Sequence, residues 1–189
     1  RPALFAAARR DTPGGGIPGG GIPGGGTPGG GTRRAMTAPV IRGAAAGDRK
    51  GLDDLYGAIF EESYPAPVLN LLLQTPGAWC LLAEIADGGG SALAGFAIAR
   101  VVVGECDILS LGVTPDHRRR GVGRALVAAV RAEASKAGAT TVFLEVGEDN
   151  EAARELYLEA GFEIVGRRPE YYRRADRSRI AALNMRCAV

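Results

Sequence analysis

Four Gly-Gly-Gly triplets, each preceded by proline and repeating every five residues, occupy residues 14–31. Twelve of the chain's 29 glycines lie there, so the segment has almost no apolar surface to offset the chain entropy lost on folding. We therefore expect residues 1–35 to form a disordered tail and residues 36–189 to form one folded domain. Stiff proline alternating with flexible glycine is typical of a linker, and Met36 is one candidate for the start of translation.

Charge separates the two parts of the chain. Residues 1–35 carry a net charge of +4, whereas the remainder carries −2. A domain with negative net charge is not typical of nucleic-acid binding.

The apolar runs fall short of the roughly 18 residues that a membrane-spanning helix needs, and the three cysteines form no CxxC pair. We expect a cytoplasmic protein that binds no metal and no membrane.

Hydrophobic periodicity predicts the element order β-α-α-β-β-β-α-β-α-β-β. The first long helix has an apolar stripe at i, i+3, i+4, i+7 and i+8, beginning at Leu52. This order indicates one α/β (α+β) domain with a mixed sheet and helices on both faces. An Arg/Tyr-rich loop is expected between the last two strands. The predicted strands cover residues 40–42, 78–86, 93–103, 106–113, 140–146, 162–166 and 180–187.

A strand that ends near Val113 leads through the loop Arg118-x-x-Gly121-x-Gly123 into a long helix. The two glycines remove side chains, so backbone N–H groups at the positive end of the helix dipole can approach a ligand. Such a site binds phosphate or pyrophosphate. The third glycine of a Rossmann fingerprint and the Gly-Lys-Ser/Thr of a Walker loop are absent. A surface loop with solvated arginines is the alternative. Further positive charge comes from Arg119, Arg120 and Arg124.

The loop and a second segment together resemble the GNAT superfamily of acetyl-CoA-dependent N-acetyltransferases. The second segment is residues 150–162, with the pattern Asn-x-x-Ala-x-x-Leu-Tyr-x-x-x-Gly-Phe. The resemblance is greatest to the bacterial ribosomal-protein alanine N-acetyltransferases of the Rim type. Two motifs support it, a Leu-Glu-Val strand at 144–146 and an Arg-Arg-x-x-Tyr-Tyr stretch at 167–172. It implies a mostly antiparallel central sheet of six to seven strands.

The same resemblance implies roles for individual residues. Glu145 would be the general base and Tyr157 the general acid in direct transfer of acetyl from acetyl-CoA to a primary amine. Asn150 would contact the cofactor. The acceptor implied is the N-terminal α-amine of a protein, possibly a ribosomal protein. The strand and loop positions implied to bind acetyl-CoA are Leu111, Gly112, Val113, Arg119, Arg120, Gly121, Val122, Gly123 and Arg124.

The chemistry requires groups of these types. An α-amine has a pKa near 7.7–8.0, so a carboxylate is needed to remove its proton at neutral pH. The leaving thiolate has a pKa near 8.5, and a tyrosine of pKa about 10 can protonate it. Holding the amine beside the thioester supplies much of the remaining rate.

Each assignment has a structural alternative. Glu145 can belong to a buried ion pair, Asn150 can serve as a helix N-cap, and Tyr157 can be a core residue. At the level of function, the acceptor can instead be a lysine side chain or a small amine. A different class of function is an RNA- or ribosome-binding module that uses the basic tail and the cluster Arg118–Arg120.

Overall fold

A computed structural model describes residues 38–60, 66–87, 90–173 and 177–189. The element order is the predicted one. The strands are β1 Val40–Gly43, β2 Ala78–Asp87, β3 Gly90–Val102, β4 Glu105–Val113, β5 Thr141–Gly147, β6 Glu163–Arg173 and β7 Arg179–Ala188. The helices are α1 Arg49–Phe60, α2 Ala66–Leu73, α3 Val122–Lys136 and α4 Glu151–Glu159.

The seven strands form one sheet in the order β1-β2-β3-β4-β5-β7-β6. Every neighbouring pair is antiparallel except β4 and β5, which are parallel and connected through α3. This confirms the predicted fold class, a mixed and mostly antiparallel sheet. The parallel pair at the centre divides the sheet into β1–β4 and β5-β7-β6.

Two hydrophobic cores lie on opposite faces of the sheet. One joins α3 and α4 to the sheet and contains Leu126, Val130 and Tyr157. The other joins α1 and α2 to β2, β3 and β4 and contains Ile59 and Phe96. Helices therefore cover both faces, as the sequence predicts. Strand residues of the two cores alternate, because successive side chains in a strand point to opposite faces.

The helices form where the apolar spacing predicts them. The buried residues of α1 are Leu52, Leu55, Tyr56, Ile59 and Phe60, which is the predicted stripe. The long helix α3 ends before Gly138, whose φ of +80° is the left-handed conformation that commonly closes helices.

One predicted boundary is wrong. We expected a strand over residues 162–166 followed by a loop, but β6 continues to Arg173. Its register against β7 shifts between Arg168 and Tyr172, and Glu170 has a φ of +53°. The strand therefore continues beyond a local irregularity in its pairing. The order of arginine, proline and tyrosine residues in this segment does not predict that continuation. The predictions for the tail 1–35, the helix stop at Pro65 and the turn at 88–89 lie outside the described residues.

In the described part of the chain, no helix has both the length and the apolar character needed to cross a membrane.

Candidate active site

Strands β4 and β5 separate soon after they begin. Their parallel pairing runs from Glu105 opposite Thr141 to Asp107 opposite Phe143. Beyond that point β4 stays paired with β3 as far as Val113, and β5 stays paired with β7 as far as Gly147. The edges of β4 and β5 that face each other therefore have backbone groups available to a ligand.

The loop after β4 presents the N-terminus of α3 at this opening. Gly121 is the N-cap residue with a φ of +81°, and no side chain of the described residues caps the helix there. The left-handed φ explains the glycine, because other residues rarely adopt it. The first N–H groups of α3 thus remain available to an anion.

A close junction joins β4, α3 and α4 at Gly123. A Cβ at this position would lie 3.0 Å from Leu156 Cδ2 and 3.8 Å from Val113 Cγ2. Gly123 therefore allows α4 to approach α3, a packing role that differs from the ligand approach we expected of it. Val122 is buried in the core, so only its backbone can face a ligand.

The expected cofactor-binding side chains differ in their surroundings. Asn150 caps α4, with its Oδ1 accepting a hydrogen bond from Ala153 N at 3.2 Å. Its Nδ2 is shielded from solvent and has no hydrogen-bond partner among the described residues. Arg124 forms an ion pair with Glu159 on the surface. Arg119 is exposed and has a φ of +60°.

Tyr157 is a core residue. Its side chain is 1% exposed, and its ring lies 5.7 Å from the ring of Phe162. Burial raises the pKa of the phenol above its ordinary value. The hydroxyl group therefore keeps its proton at neutral pH.

Glu145 is the buried carboxylate of the site, with 7% exposure. Its Oε1 lies 2.9 Å from the guanidinium of Arg168 on β6, and the Arg168 guanidinium lies 5.4 Å from the centre of the Tyr171 ring. Burial raises the pKa of Glu145, whereas the charge of Arg168 and a hydrogen bond from Tyr171 oppose that rise. The other oxygen, Oε2, is shielded and has no hydrogen-bond partner among the described residues.

Glu145 and Tyr157 lie on opposite faces of the sheet. The neighbours of Glu145 along β5, Leu144 and Val146, belong to the same core as Tyr157, so Glu145 points to the other face. Strand β4 leads into the N-terminus of α3, whereas β5, which contains Glu145, leads into α4, which Asn150 caps and which contains Tyr157.

Sequence reasoning did not identify two polar residues near this opening. Asn184 on β7 pairs directly with Glu145 across the antiparallel ladder. Ser110 on β4 is fully buried, and its Oγ has no hydrogen-bond partner among the described residues. Each has apolar residues on both sides in the sequence, Leu109 and Leu111 around Ser110 and Leu183 and Met185 around Asn184, and that pattern was the available signal.

A cavity lies elsewhere in the described part of the chain. It has a volume of about 910 Å³ and is lined by the start of α1, by β2 and by the end of α3, including Arg49, Cys80 and Glu133. The helix α3 has 15 residues, so this cavity is roughly 20 Å from the Gly121 end.

No cluster of three or more histidine, cysteine, aspartate or glutamate side chains that could hold a metal ion occurs in the described residues.

The model of the acetyltransferase (GNAT) family matches residues 49–162. The chain belongs to this family. The GNAT match includes β4, the loop, α3, β5 and α4, and thus most of the opening described above.

Named relatives support a particular branch of the GNAT family. The chain is 33% identical over 146 residues to the N-alpha-acetyltransferase RimI of Mycobacterium tuberculosis, covering 74% of this chain and 88% of that protein. It is 40% identical over 84 residues to the [ribosomal protein bS18]-alanine N-acetyltransferase of Escherichia coli, covering 44% of this chain. That match spans 57% of the E. coli protein, little more than half of its length.

A solved structure gives a longer match. The crystal structure of the ribosomal-protein-S18-alanine N-acetyltransferase from E. coli superposes with a TM-score of 0.70 at 27% identity, covering 80% of this chain and 94% of that one. The resemblance to GNAT enzymes of the Rim type is confirmed.

Proposed function

We propose that this chain transfers acetyl from acetyl-CoA to the N-terminal α-amine of a protein, of the ribosomal-protein alanine type. One observation carries the proposal: near the point where β4 and β5 separate, the described residues include a buried carboxylate oxygen without a hydrogen-bond partner and a helix N-terminus without a side-chain cap. The carboxylate suits a protonated amine and the helix N-terminus suits a diphosphate. The names of the two relatives, an alanine N-acetyltransferase and an N-alpha-acetyltransferase, support an α-amine as the acceptor.

The residues present fit acetyl-CoA. The uncapped N-terminus of α3, with Arg119, Arg120 and Arg124 nearby, suits the diphosphate. The backbone of β4 from Leu111 through Gly112 to Val113 is proposed to pair with the amide-containing arm of the coenzyme. Asn150 Nδ2 is a buried donor with no acceptor among the residues that the structure describes, as expected of a side chain that binds this cosubstrate.

Glu145 and Tyr157 are proposed to handle the two protons of the reaction. Acetyl-CoA supplies a thioester, whose C–S bond breaks as the new C–N bond forms. Glu145 removes the proton from the acceptor ammonium, because no described residue donates a hydrogen bond to its Oε2. Tyr157 gives its proton to the departing sulfur, and its raised pKa keeps that proton available. The second proton, which nitrogen loses as it becomes an amide, passes to solvent or restores the Tyr157 phenol, so the sum of the reaction releases one proton.

Mass spectrometry of acceptor peptides tests the assignment. Short peptides that begin with Ala, Ser or Met are incubated with the protein and acetyl-CoA, and fragmentation locates the added acetyl group. We expect α-amine acetylation, and Glu145→Gln should lower kcat/KM by about 10²–10⁴-fold. Acetylation confined to lysine side chains or small amines would replace the proposed acceptor. A Glu145→Gln variant with full activity at neutral pH would reject the base.

A cluster of arginines favours acidic acceptors as a second candidate. Arg173, Arg177 and Arg179 are exposed at the end of the β6–β7 hairpin. Such a surface attracts negative charge. A lysine side chain or a small amine that carries acidic groups would then be the acceptor, with the same acetyl chemistry. Matched acidic and neutral acceptors in one assay separate the two candidates.

A further inference from the structure

Two buried oxygen atoms on β5 and β7 lack hydrogen-bond donors within the described part of the chain. Glu145 Oε2 and Asn184 Oδ1 are both shielded from solvent without a hydrogen-bond partner in the described residues. An unmet buried acceptor is costly, and native proteins contain few of them. Two of them on adjacent strands therefore call for a common explanation.

The strand register brings these two oxygens to one place. Glu145 on β5 lies directly opposite Asn184 on β7 in the antiparallel ladder. Directly opposed residues have Cβ atoms about 4.5–5.5 Å apart and side chains on the same face. The two side chains consequently share the face that lies away from α3 and α4.

The neighbouring strand leaves room for the Asn184 amide. On its other side Asn184 pairs with Gly166 of β6. A Cβ at Gly166 would lie 3.2 Å from Asn184 Nδ2, a tighter contact than most real Cβ atoms show. The absence of a side chain at Gly166 thus accommodates the amide beside Glu145.

The charges nearby explain why one carboxylate oxygen stays available. The Arg168 guanidinium lies 2.9 Å from Glu145 Oε1, and Tyr171 also donates a hydrogen bond to this carboxylate, whereas Oε2 has no hydrogen-bond partner among the described residues. What remains is a carboxylate oxygen and an amide oxygen, both acceptors. A primary ammonium group is the complementary ligand, because it has three N–H donors and a positive charge.

We propose that Asn184 Oδ1 and Glu145 Oε2 together bind the amino group of the acceptor, so that Asn184 positions the nucleophile. The inference rests on the proposed acetyltransferase function and deepens it. When the proton passes from the ammonium nitrogen to Glu145, Asn184 retains a hydrogen bond to a second N–H. The nitrogen lone pair freed by that transfer is then directed toward the acetyl carbon.

Steady-state kinetics of Asn184→Leu and Asn184→Asp test this role. We expect Asn184→Leu to lower kcat/KM for an Ala-starting peptide by about 10- to 100-fold, mainly through a higher KM for the peptide. The KM for acetyl-CoA should change by less than about twofold, because the cosubstrate makes no contact with Asn184 in this proposal. Asn184→Asp retains an oxygen acceptor and should keep the KM for the peptide within a few-fold of wild type. Its added charge should also move the acid limb of the kcat/KM profile to higher pH.

Arg186→Leu is the matched control, two residues along β7 on the same face, where Arg186 pairs with Glu163 at 2.8 Å. It should leave both KM values unchanged. If the KM of Asn184→Leu for the peptide equals that of the wild-type protein, the proposed role of Asn184 is wrong. It is also wrong if the pH profile of Asn184→Asp does not shift. If Asn184→Leu does not fold, the Asn184→Asp profile decides. A wild-type protein without turnover on any amine would instead reject the acetyltransferase function, and the amine-binding role with it.

Discussion

The side chain of Ile59 occupies the space that a Cβ on Gly112 would need. Such a Cβ would lie 2.8 Å from Ile59 Cγ2 and 3.3 Å from Phe96 Cε1. The glycine near the end of β4 therefore lets α1 pack directly on the strand. This contact joins the second hydrophobic core to the strand that borders the opening.

Gly112→Ala should destabilise the protein by about 1–3 kcal/mol, because an extra methyl group in a filled core forces its neighbours apart. Urea unfolding followed by circular dichroism measures the change. Gly57→Ala is the control: it lies within α1 with no atom within 4 Å of the added Cβ. That change should stabilise the protein by about 0.5–1 kcal/mol. Equal stability of the two variants would contradict the packing described for Gly112.

Arg168→Met should move the acid limb of the kcat/KM profile to higher pH. Arg168 opposes the rise that burial causes in the pKa of Glu145, so its loss raises that pKa further. The pKa of Glu145 in the folded protein lies above the ordinary carboxyl value. The contribution of Glu145 to the free energy of unfolding therefore falls as the pH rises through that folded-state pKa. Rates measured from pH 5 to pH 9 give the profile. Arg173→Met, on the same strand, serves as the control, and a shift of equal size in that variant would contradict the prediction.

Tyr157→Phe should lower kcat by about 10²-fold or more while the affinity for coenzyme A stays within about twofold. The variant loses the proton donor but keeps the buried ring and its contact with Phe162. Tyr56→Phe changes another buried tyrosine, in the opposite core, and should retain activity. Single-turnover experiments measure the rate of acetyl transfer and calorimetry measures the affinity for coenzyme A, in both variants and in the wild-type protein. Unchanged turnover in Tyr157→Phe would leave only the core role for Tyr157.

Glu159→Gln should strengthen coenzyme A binding modestly. Arg124 and Glu159 are 70% and 60% exposed, so their ion pair contributes little stability and Arg124 can exchange Glu159 for phosphate. We expect a gain in affinity of no more than about fivefold at low salt, which should shrink as salt is added. Glu163→Gln, with the same charge change on β6, should have a smaller effect. Weaker binding in Glu159→Gln would show that the ion pair assists the coenzyme site.

Short-range sequence patterns predicted most of the helices and strands. The features that they did not predict depend on how strands distant in the sequence pair with one another. The apolar stripe from Leu52 and the glycine after α3 are short-range patterns, and the elements they predict are confirmed. The partners of Glu145 are not short-range. Arg168 and Asn184 reach it only because β7 pairs with β5 on one side and with β6 on the other, and an antiparallel register cannot be derived from one strand alone. The extension of β6 past Gly166 was missed for the same reason.

The three residue pairs that join β4 to β5 have a consequence for how such a protein can diverge. The half of the sheet that includes β4 leads into the N-terminus of α3, the proposed anion-binding end, and the half that includes β5, β7 and β6 contains Asn184 and Arg168. On the proposed function, most residues that would hold the acyl donor and most that would hold the acceptor therefore lie at different strands of one sheet. Substitutions along β6 and β7 are then expected to change acceptor preference more than binding of the acyl donor.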